Sequence, residues 1–353
     1  MAIYINLYNK YLIYNNYIYD MNSIKYLSNI ELYNLLFFKK HIYYYKHKEV
    51  PKQLLSTIYK NRNIGNRISI KRGLITNRCY GKYLPSNIIL YNNINDNYFD
   101  SNQALELNLG LPIYIIHQSK NKLWYFIKTY NYYCWIEKKY VTIVNKKIFN
   151  KYLNPKKFVI AMKDTYINNI FVNMGTKYPI NKIIDNNIFI CIPGRVKNKY
   201  NEINVKVNNI DFNTNFLSYN YNNFFKQAFT YLNTPYGWGG INNGIDCSGL
   251  IVNILKTFNI LIPRDTSKQK KTVGTLIYNL NKCNISIIKK YITTNDIILF
   301  YTDKHVMIYY KTEKEKIYIL HASSKYKKVV ISLLDNTTIN NIKSIHILKY
   351  YYL

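Results

Sequence analysis

Acidic residues are scarce in this chain. Only 18 Asp and Glu stand against 49 Lys and Arg over 353 residues, a formal charge of +31. Such an excess points toward a polyanionic partner: nucleic acid, an anionic membrane face or an anionic cell-wall polymer. The wider composition offers a second explanation. Lys, Asn, Ile and Tyr dominate throughout, with 40 Tyr, and AT-rich codons favour all four. The basic residues form no single arm or stripe. Compositional drift therefore accounts for much of the charge, and no nucleic-acid partner is expected.

C-x-x-C spacing is absent as well. The five cysteines, Cys79, Cys134, Cys191, Cys247 and Cys283, are odd in number. This argues against a disulfide framework or a zinc site, and no cofactor is expected. Four of them read as ordinary buried thiols and one as reactive. No apolar run reaches the roughly 18 residues of a spanning helix. The first residues, MAIYINLYNKYLIYNNYIYD, lack a basic n-region, a continuous apolar h-region and a small-residue cleavage site. A standard export signal is thus not supported in the chain as given. The expected location is the cytoplasm, or the cell envelope by another route.

The chain has the length for two to four domains and, at 48% apolar residues, can bury real cores. Residues 1–65 read as a tyrosine-rich extension with one short helix, from the cap candidate Ser23 to Phe38, in an element that Pro51 ends. Residues 66–146 hold short strand-like runs separated by polar turns, among them Pro112–Gln118 and Trp124–Lys128, which suggests a small barrel. Residues 147–207 repeat the pattern more weakly and predict a second. A polar stretch near 208–222 reads as a linker. The period then changes. Phe224, Phe225, Ala228, Phe229 and Leu232 mark an amphipathic helix, and Leu250, Ile251, Ile254, Leu255 and Phe258 mark another. Strand-like runs follow around 296–301, 305–310 and 316–321. The fold class expected is multidomain: two small all-β barrels, then an α+β domain over 220–353.

Cys247 lies where a Gly-rich turn, Tyr236-Gly-Trp-Gly-Gly-Ile-Asn-Asn-Gly-Ile-Asp-Cys-Ser-Gly249, feeds the second helix. Asp246 is a good N-cap, so Cys247 falls in the first helical turn. The helix dipole and a nearby imidazolium favour a thiolate there, and the Cys247 N–H can donate to an oxyanion. His305 and His321 sit on neighbouring strand-like runs. With the hairpin loop centred at Glu313, position 305 pairs with 321 and the two rings share a face, whereas a slip of one residue would separate them. That suits a thiol–imidazole–imidazole relay, with His305 as base and His321 as its orienting partner. A lone Cys at a helix start is usually structural, and so is a lone strand His; His41, His47, His117 and His346 belong to that class. The joint pattern is what points to catalysis.

The segment from Phe224 to Leu353 resembles the NlpC/P60 family of papain-like cysteine peptidases that cut bacterial cell-wall peptides. The resemblance rests on Thr234-Pro-Tyr-Gly-Trp-Gly-Gly, Gly244-Ile-Asp-Cys-Ser-Gly-Leu, Ile262-Pro-Arg-Asp-Thr-Ser-Lys-Gln269, Asn295-Asp-Ile-Ile-Leu-Phe, His305-Val-Met-Ile-Tyr and Leu320-His-Ala. Upstream, Thr76–Ser86, Gly110–Ser119, Leu123–Ile127 and Cys134–Ile136 resemble the bacterial SH3-type barrel that precedes some members, and residues 20–45 resemble the short helical segment of the same proteins. The layout is similar to γ-D-glutamyl-L-diamino acid endopeptidases of the YkfC type.

The resemblance implies Cys247 as nucleophile, His305 as base and His321 as third member. It implies substrate contacts from Tyr236, Trp238, Asp246, Ser248, Asp265 and Thr266, with Asp246 and Asp265 suited to an ammonium. It implies a tyrosine of the first barrel, among Tyr130, Tyr132 and Tyr133, at the cleft, and as substrate a peptidoglycan-derived peptide with a free L-Ala end. Three glycines of the usual pattern are replaced, by Met307, Asn295 and Cys134; Met307 is expected to crowd the strand beside His305 and reshape a subsite. Two other readings compete: an amidase or acyltransferase on the same fold, and a non-enzymatic module binding polyanions or cell wall.

Overall fold

The structure, a computed structural model, describes residues 42–63, 69–279, 283–292 and 295–349. The helix expected from Ser23 to Phe38 lies outside them. Two compact units divide between Thr214 and Asn215.

In the first unit, Pro51 does not end an element. It caps the helix Lys52–Asn61, with φ −56°. Proline suits that place because its ring fixes a helix-compatible φ and the missing N–H has no helical partner there. A seven-stranded antiparallel sheet follows, in the order Gln103–Leu107, Cys79–Lys82, Tyr133–Glu137, Trp124–Lys128, Pro112–Gln118, Lys71–Ile75, Val141–Ile143. One core of this region gathers Ile75, Leu105, Ile113, Ile127 and Ile136, and another gathers Leu74, Tyr114, Phe126 and Trp135. Cys134 fills space against Gly81 on the next strand: a Cβ at Gly81 would lie 2.6 Å from the Cys134 sulfur.

The residues expected to form a second barrel open with a helix, Lys146–Leu153, whose Phe149 and Tyr152 pack into the Trp135 core. Phe158–Ala161, Lys177–Ile184, Asn187–Val196, Lys199–Val207 and Phe212–Asn213 then form a five-stranded antiparallel sheet beside a separate hairpin, Thr165–Ile167 with Ile170–Val172. The last of these strands lies beyond the expected limit at 207.

The second unit carries the sequence motifs. Helix α1 (Tyr221–Phe229) starts where the Asn220 side chain accepts from the Asn223 N–H at 2.8 Å. Helix α2 is Cys247–Lys256 and α3 is Thr266–Thr272. The strands are β1 (Thr275–Asn279), β2 (Ile297–Tyr301), β3 (Val306–Glu313), β4 (Lys316–Ser323), β5 (Lys328–Leu333) and β6 (Ser344–Leu348), with α4 (Ile285–Tyr291) and α5 (Asn336–Asn341) between them. They form one antiparallel sheet, β1-β6-β2-β3-β4-β5. The expected meander β2-β3-β4 is its middle. Its flanks β1, β5 and β6, runs of five or six residues, were not foreseen.

Ile298, Phe300, Met307, Ile319, Ile345 and Ile347 pack as a core of this unit. Met307 is only 1% exposed among them. With its side chain in the core, little of it is left to meet a ligand directly. Asn295 takes φ +103°, a left-handed conformation that asparagine tolerates better than most residues. Among the described residues no helix is long and apolar enough to cross a membrane.

Candidate active site

The Gly-rich turn brings two stretches of chain into near contact before α2. A Cβ on Gly244 would lie 2.7 Å from both the Gly237 nitrogen and the Pro235 oxygen, so only glycine fits. Gly239 and Gly240 adopt φ +58° and +78°, which reverse the chain. The turn is closed by Gly237 N–H donating to Ile245 O and by Ile245 N–H donating to Pro235 O. Outside it, Asn233 N–H donates to Val329 O, Tyr236 N–H to Lys327 O and Val329 N–H to Thr234 O.

Asp246 caps α2 as expected, accepting from the Gly249 N–H at 2.8 Å. Its other contacts set its character. Arg264 donates to Oδ1 at 2.8 Å and to Oδ2 at 2.6 Å, and the Gly239 N–H donates to Oδ2 at 3.0 Å. Arg264 also donates to Ser248 Oγ at 2.9 Å, and that hydroxyl turns toward Asp246 at 3.3 Å. Burial alone would raise the Asp246 carboxyl; Arg264 and the two N–H donors hold it below the usual carboxylate range. Asp246 and Ser248, 5% and 6% exposed, are thus committed to one another and to Arg264. Tyr236, Trp238, Asp265 and Thr266 remain half-buried at the surface of the site. Asp265 sits at the N-cap position of α3, 3.9 Å from Lys268, and its side chain makes no cap hydrogen bond.

Cys247 is 7% exposed at the start of α2. Its sulfur lies 3.7 Å from Thr266 Oγ1 and within reach of the Val306 N–H, next to His305 in the chain. Burial, and then the Asp246 carboxylate, push the thiol up; the Val306 N–H, Thr266 and Arg264 act the other way without prevailing. The expectation of a thiolate favoured by the helix start is therefore corrected: burial outweighs those donors.

The histidine side differs from the expected register. The hairpin tip is Lys314–Glu315, and Glu313 pairs with Lys316, Thr312 with Ile317 and Lys311 with Tyr318. A bulge at Tyr310 then shifts the pairing by one, so that Tyr309 pairs with Ile319 and Ile308 with Leu320. Continued along the strands, this register sets His321 opposite Met307, with His305 diagonal to it on the same face. Without the bulge Ile308 would oppose His321, and His305 would face away. The bulge residue is held by α1: the Tyr310 ring lies 5.8 Å from Phe225 and 5.4 Å from Phe229, and Tyr221 donates to Tyr310 O.

His305 precedes β3 in a turn fixed by Thr302. The Thr302 hydroxyl accepts from the His305 N–H at 3.0 Å, and the Thr302 N–H donates to His305 O at 2.9 Å. His305 Nε2 lies 2.8 Å from His321 Nδ1, and His321 Nε2 lies 3.1 Å from Ser332 Oγ on β5. No motif marks Ser332, and sequence reasoning missed it. Only the β4–β5 register, with Ile319 opposite Ser332 and His321 opposite Val330, makes it a diagonal neighbour of His321. Burial, followed by His321, lowers His305 to about 3, and burial lowers His321 to about 4. Raised at Cys247 and lowered at both histidines, these shifts favour thiol and neutral imidazoles at neutral pH.

The other described histidines make internal contacts: His47 with Ile94 O, His117 with Arg62 O and His346 with Val273 O and Ser344. His41 lies outside the described residues. All five cysteines are free and buried. Among the described residues no group of three or more His, Cys, Asp or Glu is placed to hold a metal.

Residues 233–345 match the NlpC/P60 family, and residues 90–137 match the SH3 domain of the SH3b1 type. A stretch of 110 residues is 34% identical to the probable endopeptidase NlpC of Escherichia coli strain K12, covering 29% of this chain and 61% of that protein. The chain thus spans less than two thirds of the length of this curated relative. Among solved structures, an NlpC/P60 endopeptidase from Photobacterium damselae subsp. piscicida superimposes with a TM-score of 0.71 at 18% identity, covering 98% of this chain and 87% of that one. An NlpC/P60 family protein from Bacillus cereus ATCC 10987 gives 0.52 at 20% identity, covering 69% and 82%. At these identities the likeness is one of fold.

Proposed function

We propose that this chain, which carries an NlpC/P60 domain behind an SH3 domain of the SH3b1 type, is a cysteine endopeptidase acting on peptidoglycan peptides. The bond proposed is that between γ-linked D-Glu and the diamino acid, in a peptide with a free L-Ala end. The observation that carries the reading is the file of side chains: Cys247 at a helix start, its sulfur by the backbone of Val306, and His305 bonded to His321 at 2.8 Å.

The chemistry follows from the atoms. His321 occupies Nε2 of His305, so Nδ1 is the nitrogen left to take the Cys247 proton. Because thiol and imidazole rest neutral, the proton moves as the sulfur attacks the carbonyl carbon. The developing oxyanion accepts from the Cys247 N–H at the positive end of α2. The His305 imidazolium, steadied by His321, then protonates the leaving amine, and the C–N bond breaks. Water, deprotonated by His305, attacks the thioester and releases the acid and the thiol. Tyr236 and Trp238 would wall the subsites, Asp265 would face the substrate ammonium and Thr266 the D-Glu unit. Asp246 and Ser248, paired with Arg264, would contribute by shaping the turn.

The test is incubation with L-Ala-γ-D-Glu-diamino acid peptide and, separately, with intact sacculi, with products identified by mass. Release of L-Ala-D-Glu from the free peptide is expected. Cys247→Ala should remove about 10⁴-fold or more of the turnover while leaving the fold intact, since a lost nucleophile leaves only binding and oxyanion stabilisation. Turnover retained by that variant would sink the reading.

A further inference from the structure

A pair of neutral imidazoles sharing one hydrogen bond is ambiguous about its proton. In one arrangement His305 Nε2–H donates to His321 Nδ1, and the lone pair on His305 Nδ1 is free for the thiol. In the other, His321 Nδ1–H donates to His305 Nε2, and the His305 proton sits on Nδ1, where it blocks proton uptake. The 2.8 Å separation of the two rings fits both. The choice falls to whatever meets the far nitrogen of His321. That is Ser332 Oγ, at 3.1 Å.

His346 shows the alternative in the same sheet. Its Nδ1 lies 2.8 Å from Val273 O, a carbonyl that can only accept, so Nδ1 carries the proton and Nε2 accepts from the Ser344 hydroxyl at 2.9 Å. A carbonyl leaves a ring no freedom. The His305–His321 file ends instead on a hydroxyl, which can accept or donate. Ser332 is half-buried on the edge strand β5, whereas His321 is 9% exposed. A hydroxyl at the rim of the buried file can rotate to accept when His305 becomes an imidazolium, a charge that its other ionisable neighbour, Asp246, also favours.

We infer that Ser332 is a positioning residue: by accepting from His321 Nε2–H it supports the tautomer that keeps His305 Nδ1 open to Cys247, the one that an imidazolium at His305 requires. This rests on the proposed peptidase chemistry. By accepting from His321 Nε2–H, Ser332 leaves His321 Nδ1 only a lone pair, and His305 must donate into it. The same contact steadies the file when His305 holds the thiol proton.

The test compares Ser332→Thr with Ser332→Val, two β-branched residues of one shape that both suit a strand and differ by the hydroxyl. Thr should keep turnover within about twofold of the native protein. Val should lower kcat by about ten- to a hundredfold with KM unchanged, the cost that losing an orienting partner has for metal-bound histidines. A second readout needs no substrate. The pH dependence of Cys247 alkylation by iodoacetamide, scored by mass at that residue, should move to higher pH in the Val variant. It should move to lower pH in Ser332→Asp, whose carboxylate can only accept. Equal kcat and equal alkylation profiles for Thr and Val would overturn the inference. If the Val variant does not fold, as judged by its thermal melt, an unmoved alkylation profile in Ser332→Asp overturns it instead. Loss of turnover in Cys247→Ala beside equal Thr and Val variants would leave the peptidase reading standing and remove only the role of Ser332.

Discussion

Cys247, whose sulfur reaches the Val306 N–H, and His305, the residue before Val306, are held in place by different means. Around Cys247 most restraints come from the residues next to it or nearby in sequence: Asp246 on the Gly249 N–H, Arg264 on Asp246 and Ser248, and Gln269 on the carbonyls of Ser248 and Pro263. Around His305 the decisive restraint is remote. Which way its ring faces relative to His321 depends on a bulge at Tyr310, and that bulge is gripped by aromatic rings on α1, some 85 residues earlier in the chain. The nucleophile is fixed by a network of charges and donors, and the base by strand register. A network fails by losing stability; a register fails by turning a side chain to the wrong face.

Variants can break that contrast at either end. Deleting Ile308, which lies between the bulge and His305, should have the largest effect: it brings Val306 opposite His321, turns His305 to the other face and lowers kcat by at least about 10²-fold, because misplacing a reacting group by an ångström already costs that much. Native turnover in that variant would show that strand register does not set the facing of the pair. Arg264→Ala should act on stability first. It leaves the buried Asp246 carboxylate without its partner, at a cost of about 3–5 kcal/mol in denaturant unfolding. An unchanged midpoint would mean that the two N–H donors suffice. Met307→Ala should cost about 2–4 kcal/mol through the cavity it opens, with the product spectrum by mass unchanged. Altered bond preference in that variant would restore Met307 to the subsite.

Smallest per group is the pH effect. His305, His321 and His346 are held at about 3, 4 and 4, below the 6.5 of an exposed ring. The unfolded chain therefore binds protons that the folded chain refuses. The stability from neutral rings is complete above about 6.5 and is lost as pH falls toward about 4, by at most about 1.4 kcal/mol per unit for each ring. Thermal melts from pH 8 to pH 5 should fall accordingly, and His346→Gln should flatten the fall. A melting temperature rising toward acid would contradict the buried neutral state.

The cysteine side was legible in sequence because its logic is short-range. Cap, turn glycines and helix period all lie within about 20 residues and point to one structure. The histidine hairpin was legible only in part. The shared face was foreseen from spacing, but the pairing placed 305 directly opposite 321, and two errors had to cancel in effect. The tip lies later than its polar composition suggested, and the bulge restores the facing. Nothing in Tyr309-Tyr310-Lys311 announces a bulge, since what holds it is packing against α1. Ser332 was invisible for the same reason: a serine among valines and isoleucines acquires meaning only through the strand beside it. Pro51 misled because proline marks both a helix stop and a helix start, and only the residues after it decide.

The outer strand has one more consequence. Just before and at its start, Lys327 and Val329 bind the backbone of Asn233, Thr234 and Tyr236, which leads into the turn before Cys247. Three residues beyond Val329, Ser332 meets the far ring of the histidine file. Residues 327–332 thus act as a splint laid across both halves of the site. A force or a ligand that lifts this edge would loosen the wall of the nucleophile turn and the back of the base together, so the two halves would lose alignment in one movement rather than in sequence.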